Sequence, residues 1–577
     1  MIWTKRIKQF ILPKVLPKFQ YICQDDQNIT DENRDLRNIV NFLRSENNNG
    51  TVLAIDFRDA FRSTSLRWCN LVMKAMNIPI DFISWFWAMY DGLYVSVVIN
   101  KWKSEKIPVK RGFMEGHAPS MAAFVLAVAP LGLAIEEVLE GIRTPDGVLH
   151  KIKAFADDVK VILKNVGTEL GKVYETINNF EFVSGTEMHR DPTREKCQAL
   201  PFGLHRQYDG WPSWVTVKNE IKILGVYYSN DESLEKCNSG KIFEIVNGQI
   251  MGNFSMRGTP LQKAAYANTF IFSKIWYVAQ TIKLEASVLK KIVQIILNFI
   301  WAGQNERPVR ALNFRPKELG GLGLMCPATK AKSLLLKSMF KDYIAFGSLQ
   351  ENIGKMYGHR KDFKDLLTLG VDFKNVKQIY EQLMKGEIYR NGSLIPSREE
   401  KRAKVKWKTA WSNLKLAKAV TAQEKYFIFQ AQQDLIPLGS RMHRPGAEKR
   451  CLAVLENNRV CLQLNDRLHA MLTCQRSPVK DRSIFSILSE FLGRPISDVE
   501  VIHFSFNHRN KKRLGAAVWF AVKMLHFLYL NKFENNTQLL DEMQKEIEWN
   551  LKMKKDLGSQ SEVLALKECI LKYNRTS

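Results

Sequence analysis

The first part of the chain alternates short apolar segments of strand-like character with longer segments of helical spacing. Residues 51–62 (TVLAIDFRDAFR) begin as an apolar strand and continue with the spacing of a helix. Residues 148–163 (VLHKIKAFADDVKVIL) predict two short strands that flank an Asp-Asp turn, because apolar residues line both arms. A further pair of strands is predicted at 215–217 and 221–228. This mixture of strands and helices predicts an α+β fold.

The later part of the chain has mostly helical spacing. The pattern is strongly helical from about 258 to 300, whereas residues 345–405 are polar and charged, as is typical of a linker. Residues 406–577 are helical again and basic. The longest apolar run, 118–135, is interrupted by proline, serine and glycine, and we interpret it as a buried helix instead of a membrane span. We therefore expect an α+β region followed by helical domains, with no membrane as partner.

The composition is that of a folded intracellular protein. At 577 residues the chain is too long for a single core, so about three to five compact units are expected. Its 45% apolar and 25% charged residues argue against wholesale disorder. Nine cysteines at irregular spacings do not make a disulfide scaffold. They predict a soluble protein of a reducing compartment, the nucleus or the cytoplasm.

Basic residues outnumber acidic ones by a wide margin. Lys and Arg total 85 against 59 Asp and Glu, which gives a formal net charge of +26. Such a surplus favours a polyanionic partner, because each neutralised phosphate releases counterions. Nucleic acid is the leading interpretation and an anionic membrane surface the second. A merely soluble basic surface would fit a smaller surplus.

Three aspartates are placed where strands are predicted to end. Asp157 and Asp158 lie at the predicted turn, and Asp56 follows the apolar run 52–55. Most Asp-Asp pairs are solvated turn residues, but the apolar arms on both sides weaken that interpretation here. Adjacent carboxylates repel each other unless a cation lies between them. Three acids so placed could hold two divalent metal ions, which stabilise the in-line displacement of a phosphoryl group. The pattern therefore predicts a polymerase or a nuclease.

Seven short blocks stand out along the chain. They are LAIDFRDAFRSTS at 53–65, RGFMEGHAPSMAAFVLAVAPL at 111–131, AFADDV at 154–159, GTEMHRDPTREKCQALPFG at 185–203, IKILGVYY at 221–228, FIWAG at 299–303 and RPKELGGLGL at 315–324. Together they resemble the reverse transcriptases of non-LTR retrotransposons, the long interspersed element type. The first four occur in the family's order with workable spacings. The resemblance extends from about Gln20 to Phe340 and continues weakly beyond.

The resemblance implies a right-hand polymerase fold, with an α+β palm, partial fingers, a helical thumb and a mostly helical C-terminal domain. It divides the chain into partial fingers, palm, thumb with its associated helices, linker and basic helical C-terminal domain, at residues 1–50, 51–235, 236–344, 345–405 and 406–577. The N-terminus resembles the interior of the fingers, so we expect an N-terminally truncated copy. Whether a separate polypeptide supplies the missing upstream strands stays open.

The metal-binding role of the aspartates is implied by the same resemblance. Asp56 and Asp157 would hold two Mg²⁺ ions, or Mn²⁺ ions, and Asp158 would complete the cluster. The resemblance thus favours one of the two activities that the carboxylate pattern allows, nucleotidyl transfer by a polymerase.

Three further residues are implied to contact the nucleotide. Phe61 would lie under the sugar and exclude a 2′-hydroxyl, Gly116 would let the chain pass close to template or nucleotide, and Lys196 would protonate the leaving pyrophosphate. Each also has an ordinary interpretation, as a core phenylalanine, a turn glycine and a solvated lysine. Two nearby positions depart from the family: Glu115 stands where Gln is usual, and Arg62 replaces a common acidic residue.

A degenerate zinc-binding region is implied near the C-terminus. Residues 407–474 resemble the region that follows the polymerase in many of these elements, with Cys461, His469 and Cys474 at ligand-like spacing. A structural zinc site needs four ligands, and Asn458 stands where the family's first cysteine would be. Three residues without a metal are therefore favoured over a Zn²⁺ site.

These observations predict an RNA-directed DNA polymerase that acts on an RNA template, a DNA primer or target and deoxynucleoside triphosphates. The alternative is a non-catalytic nucleic-acid-binding protein that keeps the scaffold, which Glu115 and the missing finger strands favour. A two-metal nuclease would explain the carboxylates but not the later blocks. Nuclear location is implied only because elements of this type prime synthesis on chromosomal DNA.

Overall fold

The computed structural model describes residues 2–24, 27–45, 47–303, 310–346, 359–390, 393–394, 407–417, 419–432, 483–530, 536–552 and 560–576. These residues form two compact units. Unit 1 comprises Met1–Phe243, Trp276–Val288 and Leu334–Gly370, and unit 2 comprises Glu244–Ile275, Leu289–Ser333 and Val371–Ser577. Helices predominate, and the one large sheet of the described residues lies in unit 1.

A five-stranded sheet forms the centre of unit 1. Its strands in chain order are β1 (Gly50–Ile55), β2 (Ile152–Phe155), β3 (Asp158–Leu163), β4 (Gln198–Phe202) and β5 (Thr216–Val217). The strands lie in the order β5-β4-β1-β3-β2, and only the pairing of β4 with β5 is parallel. The predicted hairpin is confirmed, because β2 and β3 pair antiparallel on either side of the turn at 156–157. The core of the predicted α+β fold is thus present.

Helices cover both faces of this sheet. On one face α2 (Ser120–Val138) and α3 (Val166–Ser184) share an apolar core with alternate residues of the strands, such as Leu53 and Val161. Alternate strand residues point to opposite faces. Residues such as Lys160 therefore point to the other face, where they meet α1 (Ile29–Ser45). Because both faces of the sheet are buried, the sequences of β1 and β3 are nearly continuous apolar runs and do not alternate between apolar and polar residues.

The apolar run interpreted as a buried helix is α2, and that prediction is confirmed. Most of its residues are buried, although Pro130 lies inside it. Among the described residues it is the one helix long and apolar enough to cross a membrane, by length and composition only, and 61% of its apolar window is buried within the protein. Its neighbour α3 is capped at its N-terminus by Asn165, whose side chain accepts a hydrogen bond from the Gly167 amide, and at its C-terminus by Gly185 with φ of 72°.

The predicted pairing of 215–217 with 221–228 is wrong. Residues 216–217 form β5 and pair with β4, whereas Glu220–Ile223 pairs with Val226–Ser229 in a separate hairpin. Four more two-stranded pairs complete unit 1. They are Phe57–Arg58 with Glu187–Met188, Tyr94–Val95 with Ile107–Pro108, Val98–Ile99 with Trp102–Lys103, and Ile142–Arg143 with Leu149–His150.

Further helices lie along the chain in both units. Besides α1, α2 and α3, the α-helices of the described residues up to 400 are Ile2–Arg6, Leu12–Val15, Ala60–Ser63, Leu66–Ala75, Ile80–Tyr90, Leu234–Gly252, Pro260–Tyr266, Ser273–Val278, Ala286–Ile300, Arg310–Phe314, Pro327–Phe346, Arg360–Thr368 and Val376–Ile388. Short 3₁₀ or π turns lie at Ile7–Ile11, Pro192–Arg194, Gly203–Gln207, Ala267–Ile271 and Lys317–Leu319. The helical spacing predicted for 258–300 is confirmed in outline.

Helix α1 joins distant parts of unit 1. The Arg37 guanidinium donates to the Thr281 carbonyl at 2.7 Å, and the Asn33 amide donates to the Tyr277 hydroxyl at 3.0 Å. On the same helix Asp31 pairs with Lys341 at 3.1 Å. Residues 276–288 and 334–342 therefore belong to the packing of the sheet domain, although they follow it in the chain.

Unit 2 is centred on one buried helix, α4 (Lys511–Tyr529). Five described helices contact it, namely Trp407–Leu416, Ala422–Gln432, Ser483–Leu492, Asn536–Lys552 and Gln560–Thr576. Inside this helical group Lys523 is 7% exposed and pairs with Glu424 at 2.8 Å and with Glu546 at 3.3 Å. A buried ammonium needs such partners, because an unpaired charge in the interior is costly. The helical character predicted for 406–577 is confirmed for the residues of this range that the structure describes.

Candidate active site

The sheet brings the three predicted aspartates to one edge. Strand β1 ends at Ile55, which pairs with Val159 near the start of the antiparallel strand β3. Asp56 therefore follows β1 at the edge where the 156–157 turn lies, and Asp158 is the first residue of β3. The strand end before Asp56 and the turn at Asp157 were both predicted from the sequence. The pairing of β1 with β3 places them side by side.

The turn that carries Asp157 is strained and held by a side chain from before α1. Ala156 has φ of 58°, in the left-handed region that residues with a Cβ rarely adopt. The amide of Gln20 receives a hydrogen bond from the Ala156 N–H at 3.0 Å and donates one to its carbonyl at 3.3 Å. Strain of this kind persists only where the surroundings fix it. Gln20 was not predicted as a site residue, because nothing in a single sequence links it to residue 156.

The electrostatics of the site favour a cation. Burial raises the pKa of the Asp157 carboxyl above its usual value, and the negative charges of Asp158 and Asp56 raise it further. A hard divalent cation with a preference for oxygen ligands would relieve this repulsion. The donor set, the carboxylates of Asp56 and Asp158 beside the partly buried Asp157, therefore fits Mg²⁺ or Mn²⁺.

Lys196 lies next to Asp56, one of the predicted metal ligands. Its Nζ is 3.4 Å from Oδ2 of Asp56, and its side chain is about half exposed. The same carboxylate is 3.7 Å from Nε2 of His189, whose amide donates to the Asp56 carbonyl at 2.9 Å. The segment that carries His189 and Lys196 lies beside Asp56 because Glu187–Met188 pairs with the two residues after Asp56. His189 was missed, since a lone histidine in a loop carries no recognisable pattern.

Phe61 lies in an aromatic cluster. Its ring centroid is 4.8 Å from that of Phe124 and 5.8 Å from that of Phe113, and the side chain is only partly buried. Gly116 has φ of 78°, and a Cβ built there would have no heavy atom within 4 Å. A positive φ, not close packing within the protein, is therefore the structural reason for glycine at this position.

The two departures from the family contact each other. The Arg62 Nε donates to the Glu115 carboxylate at 2.9 Å, and the side chains are 70% and 63% exposed. Arg62 thus partly neutralises the carboxylate that replaces glutamine. From the sequence the two positions are separate changes, because their sequence separation is 53 residues.

The predicted zinc ligands Cys461, His469 and Cys474 lie outside the described residues. The structure therefore leaves the zinc prediction as it stands.

Among the described residues, one group of three side chains has metal-ligating atoms within 4.8 Å of one another, namely Glu220, Glu232 and Cys237, so the carboxylates of Asp56, Asp157 and Asp158 are not all within that distance of one another. The Cys237 thiol donates to Glu220 at 3.0 Å, and burial raises its pKa to about 12. Lys241 pairs with Glu220 at 3.3 Å. The carboxylate is thus already satisfied by a protonated thiol and an ammonium, and the group is not a candidate metal site.

Comparison with known proteins assigns the family of the sheet domain. Residues 1–228 match the family described as reverse transcriptase (RNA-dependent DNA polymerase). Among solved structures, one similar chain is from a telomerase of Candida albicans in complex with a TWJ fragment of telomeric RNA. The alignment has 9% identity and a TM-score of 0.26, and it covers 55% of this chain and 52% of that one. On the match of sequence, residues 1–228 are a reverse transcriptase domain.

Proposed function

We propose that the chain is an RNA-directed DNA polymerase of the non-LTR retrotransposon type, which extends a DNA primer on an RNA template with deoxynucleoside triphosphates. The observation that carries the proposal is the grouping of Asp56, Asp157 and Asp158 at one edge of the sheet of a reverse transcriptase domain. The net charge of +26 suits a protein that binds nucleic acid.

Asp56 and Asp157 are the residues that would hold the divalent metal ions, with Asp158 beside them. Such ions, when bound, stabilise the charge that develops on the attacking and leaving oxygens. The chain's own contribution is to hold the carboxylates in place. The raised pKa of Asp157 supports the assignment, because burying an acid next to two others is costly unless a ligand compensates it.

Lys196 and Phe61 support the proposal in different ways. The Lys196 ammonium is close enough to Asp56 to reach the reacting phosphates and hold or donate a proton there. Phe61 packs against Phe113 and Phe124 and lies shortly after Asp56 in the chain, and a bulky ring of this kind suits a group that excludes a 2′-hydroxyl. Gly116 lies in an open, left-handed turn that leaves room for a ligand.

A second candidate function is nucleic-acid binding without catalysis. Glu115 favours it, because an exposed carboxylate on the loop beside Gly116 would repel the phosphates of a nucleotide. The ion pair with Arg62 weakens that repulsion. The pair has no net charge, however, so it does not attract phosphate as an unpaired arginine would.

Primer extension by the full chain separates the two functions. The substrate is a DNA primer annealed to RNA, with each of the four deoxynucleotides and with Mg²⁺ or Mn²⁺. Extension should occur with deoxynucleotides, fall sharply with ribonucleotides and vanish in Asp157→Ala/Asp158→Ala. If neither protein extends the primer while both bind the RNA equally well, the catalytic proposal is wrong and the binding function stands.

Removal of Arg62 should weaken nucleotide binding by a modest amount. In Arg62→Ala the carboxylate of Glu115 loses its partner at 2.9 Å, so we expect the KM for deoxynucleotide to rise about twofold to fivefold with little change in kcat. The rise should shrink at high salt, because both side chains are exposed. Steady-state primer extension measures it.

The control for this prediction is the double variant Arg62→Ala/Glu115→Gln. It removes the unpaired carboxylate, so the KM should return to about its original value. A KM that stays high in the double variant would mean that Arg62 itself contacts the nucleotide.

A further inference from the structure

A buried ion pair lies behind the catalytic turn, on the face of the sheet that α1 covers. Lys160 belongs to β3, two residues after Asp158, and Glu32 belongs to α1. Nζ of Lys160 is 3.0 Å from Oε1 of Glu32, and their side chains are only 3% and 0% exposed. Neither residue lies in the seven blocks that carry the family resemblance. From the sequence alone, each charged residue would be interpreted as a surface residue.

The ammonium of Lys160 also holds the main chain of the catalytic segment. It donates a hydrogen bond to the carbonyl of Asp158 at 2.9 Å. Glu32 thus balances the charge of Lys160 from α1 as an ion pair, and Lys160 holds the peptide group between Asp158 and Val159 by a hydrogen bond. The two charges and the catalytic main chain form one connected group.

A role in stability alone does not account for this pair. Removing two charges from water costs more than their attraction often returns, so an apolar pair of similar volume is commonly at least as stable. Other inward positions of β1 and β3, such as Val52 and Ile162, are apolar and fully buried, whereas Lys153 of β2, opposite Lys160, is also buried and pairs with Asp35 of α1 at 3.1 Å. Charged pairs beneath α1 are therefore a cost to the core that another property has to offset, and the pair of Lys160 with Glu32 is the more deeply buried of the two.

That property is the geometry of the turn. The left-handed Ala156 is held by the Gln20 amide on one side of Asp157, and the Asp158 carbonyl is held by Lys160 on the other. The peptide groups that carry both acids are thus fixed at both ends. Errors of about 1 Å in the position of reacting groups cost about a hundredfold in rate, so such fixing matters at a metal site.

We infer that Glu32 and Lys160 are positioning residues for the catalytic carboxylates. They touch no substrate. The pair sets the main-chain position of Asp158, and through it the carboxylates that would bind the metal ions. This inference rests on the proposed polymerase function for its kinetic part, but its metal-binding part does not need turnover.

The variants that test it are Lys160→Met and the neutral double variant Glu32→Gln/Lys160→Met. The double variant keeps the volume of both side chains and leaves no unpaired buried charge, so it should fold even if the single variant does not. In both we expect kcat of primer extension to fall about tenfold to a hundredfold, with the KM for nucleotide changed less than threefold. Mn²⁺ affinity, measured by electron paramagnetic resonance without any substrate, should fall by a similar factor.

The control is Lys164→Met, which removes an exposed ion pair with Glu140 (2.8 Å) just beyond the end of β3. It should leave kcat and Mn²⁺ affinity unchanged. A folded double variant with full Mn²⁺ affinity would overturn the inference and make the pair purely structural. If the natural chain extends no primer, the polymerase proposal fails, and the Mn²⁺ titration still decides the role of the pair.

Discussion

An Asp157→Asn variant should be inactive in primer extension and yet more resistant to heat than the natural chain. The carboxylate is expected to bind metal, and losing several kcal/mol of transition-state stabilisation lowers the rate by about a thousandfold or more. Stability should change in the opposite direction. Burial and the charges of Asp158 and Asp56 raise the pKa of Asp157, which means that the folded state pays a cost to ionise it. Asparagine removes that cost.

The effect of pH on the stability difference between Asp157→Asn and the natural chain follows from the direction of the pKa shift. Because the pKa of Asp157 is higher in the folded than in the unfolded chain, the folded state retains a proton that the unfolded state releases, and stability falls as the pH rises through that interval. The melting-temperature difference between variant and natural chain should therefore be small in acid and largest near neutral pH. Added Mg²⁺ should raise the melting temperature of the natural chain more than that of the variant.

Asp191→Asn provides the matched control of opposite sign. Hydrogen bonds from the side chain and amide of Thr193 lower the pKa of Asp191, so its ionised form is favoured by folding. Asparagine there should not raise the melting temperature at neutral pH, and extension should continue. If Asp157→Asn retains activity and its melting temperature is unchanged, Asp157 is not a ligand of the metal site.

Gly321→Ala should destabilise unit 2 by about 3–5 kcal/mol, the range of the most harmful single substitutions. A Cβ at this position would lie 1.9 Å from the carbonyl oxygen of the buried Arg315. That carbonyl cannot move aside freely, because it accepts a hydrogen bond from the Gly323 amide at 3.0 Å. The loop is further tied down where the Leu322 amide donates to the Leu312 carbonyl at 2.9 Å.

Amide hydrogen exchange followed by mass spectrometry measures this loss locally. Peptides that cover 312–324 should exchange about a thousandfold faster in Gly321→Ala, since each 1.4 kcal/mol is a factor of about ten. Gly386→Ala is the control within unit 2. It lies in the helix Val376–Ile388 with no heavy atom within 4 Å of its Cβ, so alanine should stabilise by about 0.4–1 kcal/mol. Equal exchange in both variants would contradict the close approach at Gly321.

Sequence reasoning predicted the local features of the fold better than the distant ones. The hairpin at 152–163 and the buried helix α2 depend on apolar patterns within one segment, and both were found where expected. The strand at 216–217 was assigned the wrong partner, because its true partner, β4, is chosen by the packing of the whole sheet. A pattern along the chain carries no information on such a choice.

The candidate site shows the same division. Asp56, Asp157 and Lys196 were identified because they belong to short motifs, and the structure brings Lys196 to Asp56. Gln20 and the pair of Glu32 with Lys160 were missed, since a glutamine and two charged residues predict solvent-exposed positions unless their partners are known. Their burial depends on contacts that cross more than a hundred residues of sequence.

The contacts of α1 have a consequence for the order in which the chain folds as the ribosome makes it. The matched family segment ends at residue 228, but Arg37 has its carbonyl partner at Thr281 and Asp31 its ammonium partner at Lys341. Synthesis adds about 5–20 residues per second, so several seconds pass after residue 228 has been added before these partners exist. During that interval the outer face of α1 is open to chaperones, so the segment defined by homology is shorter than the unit that folds.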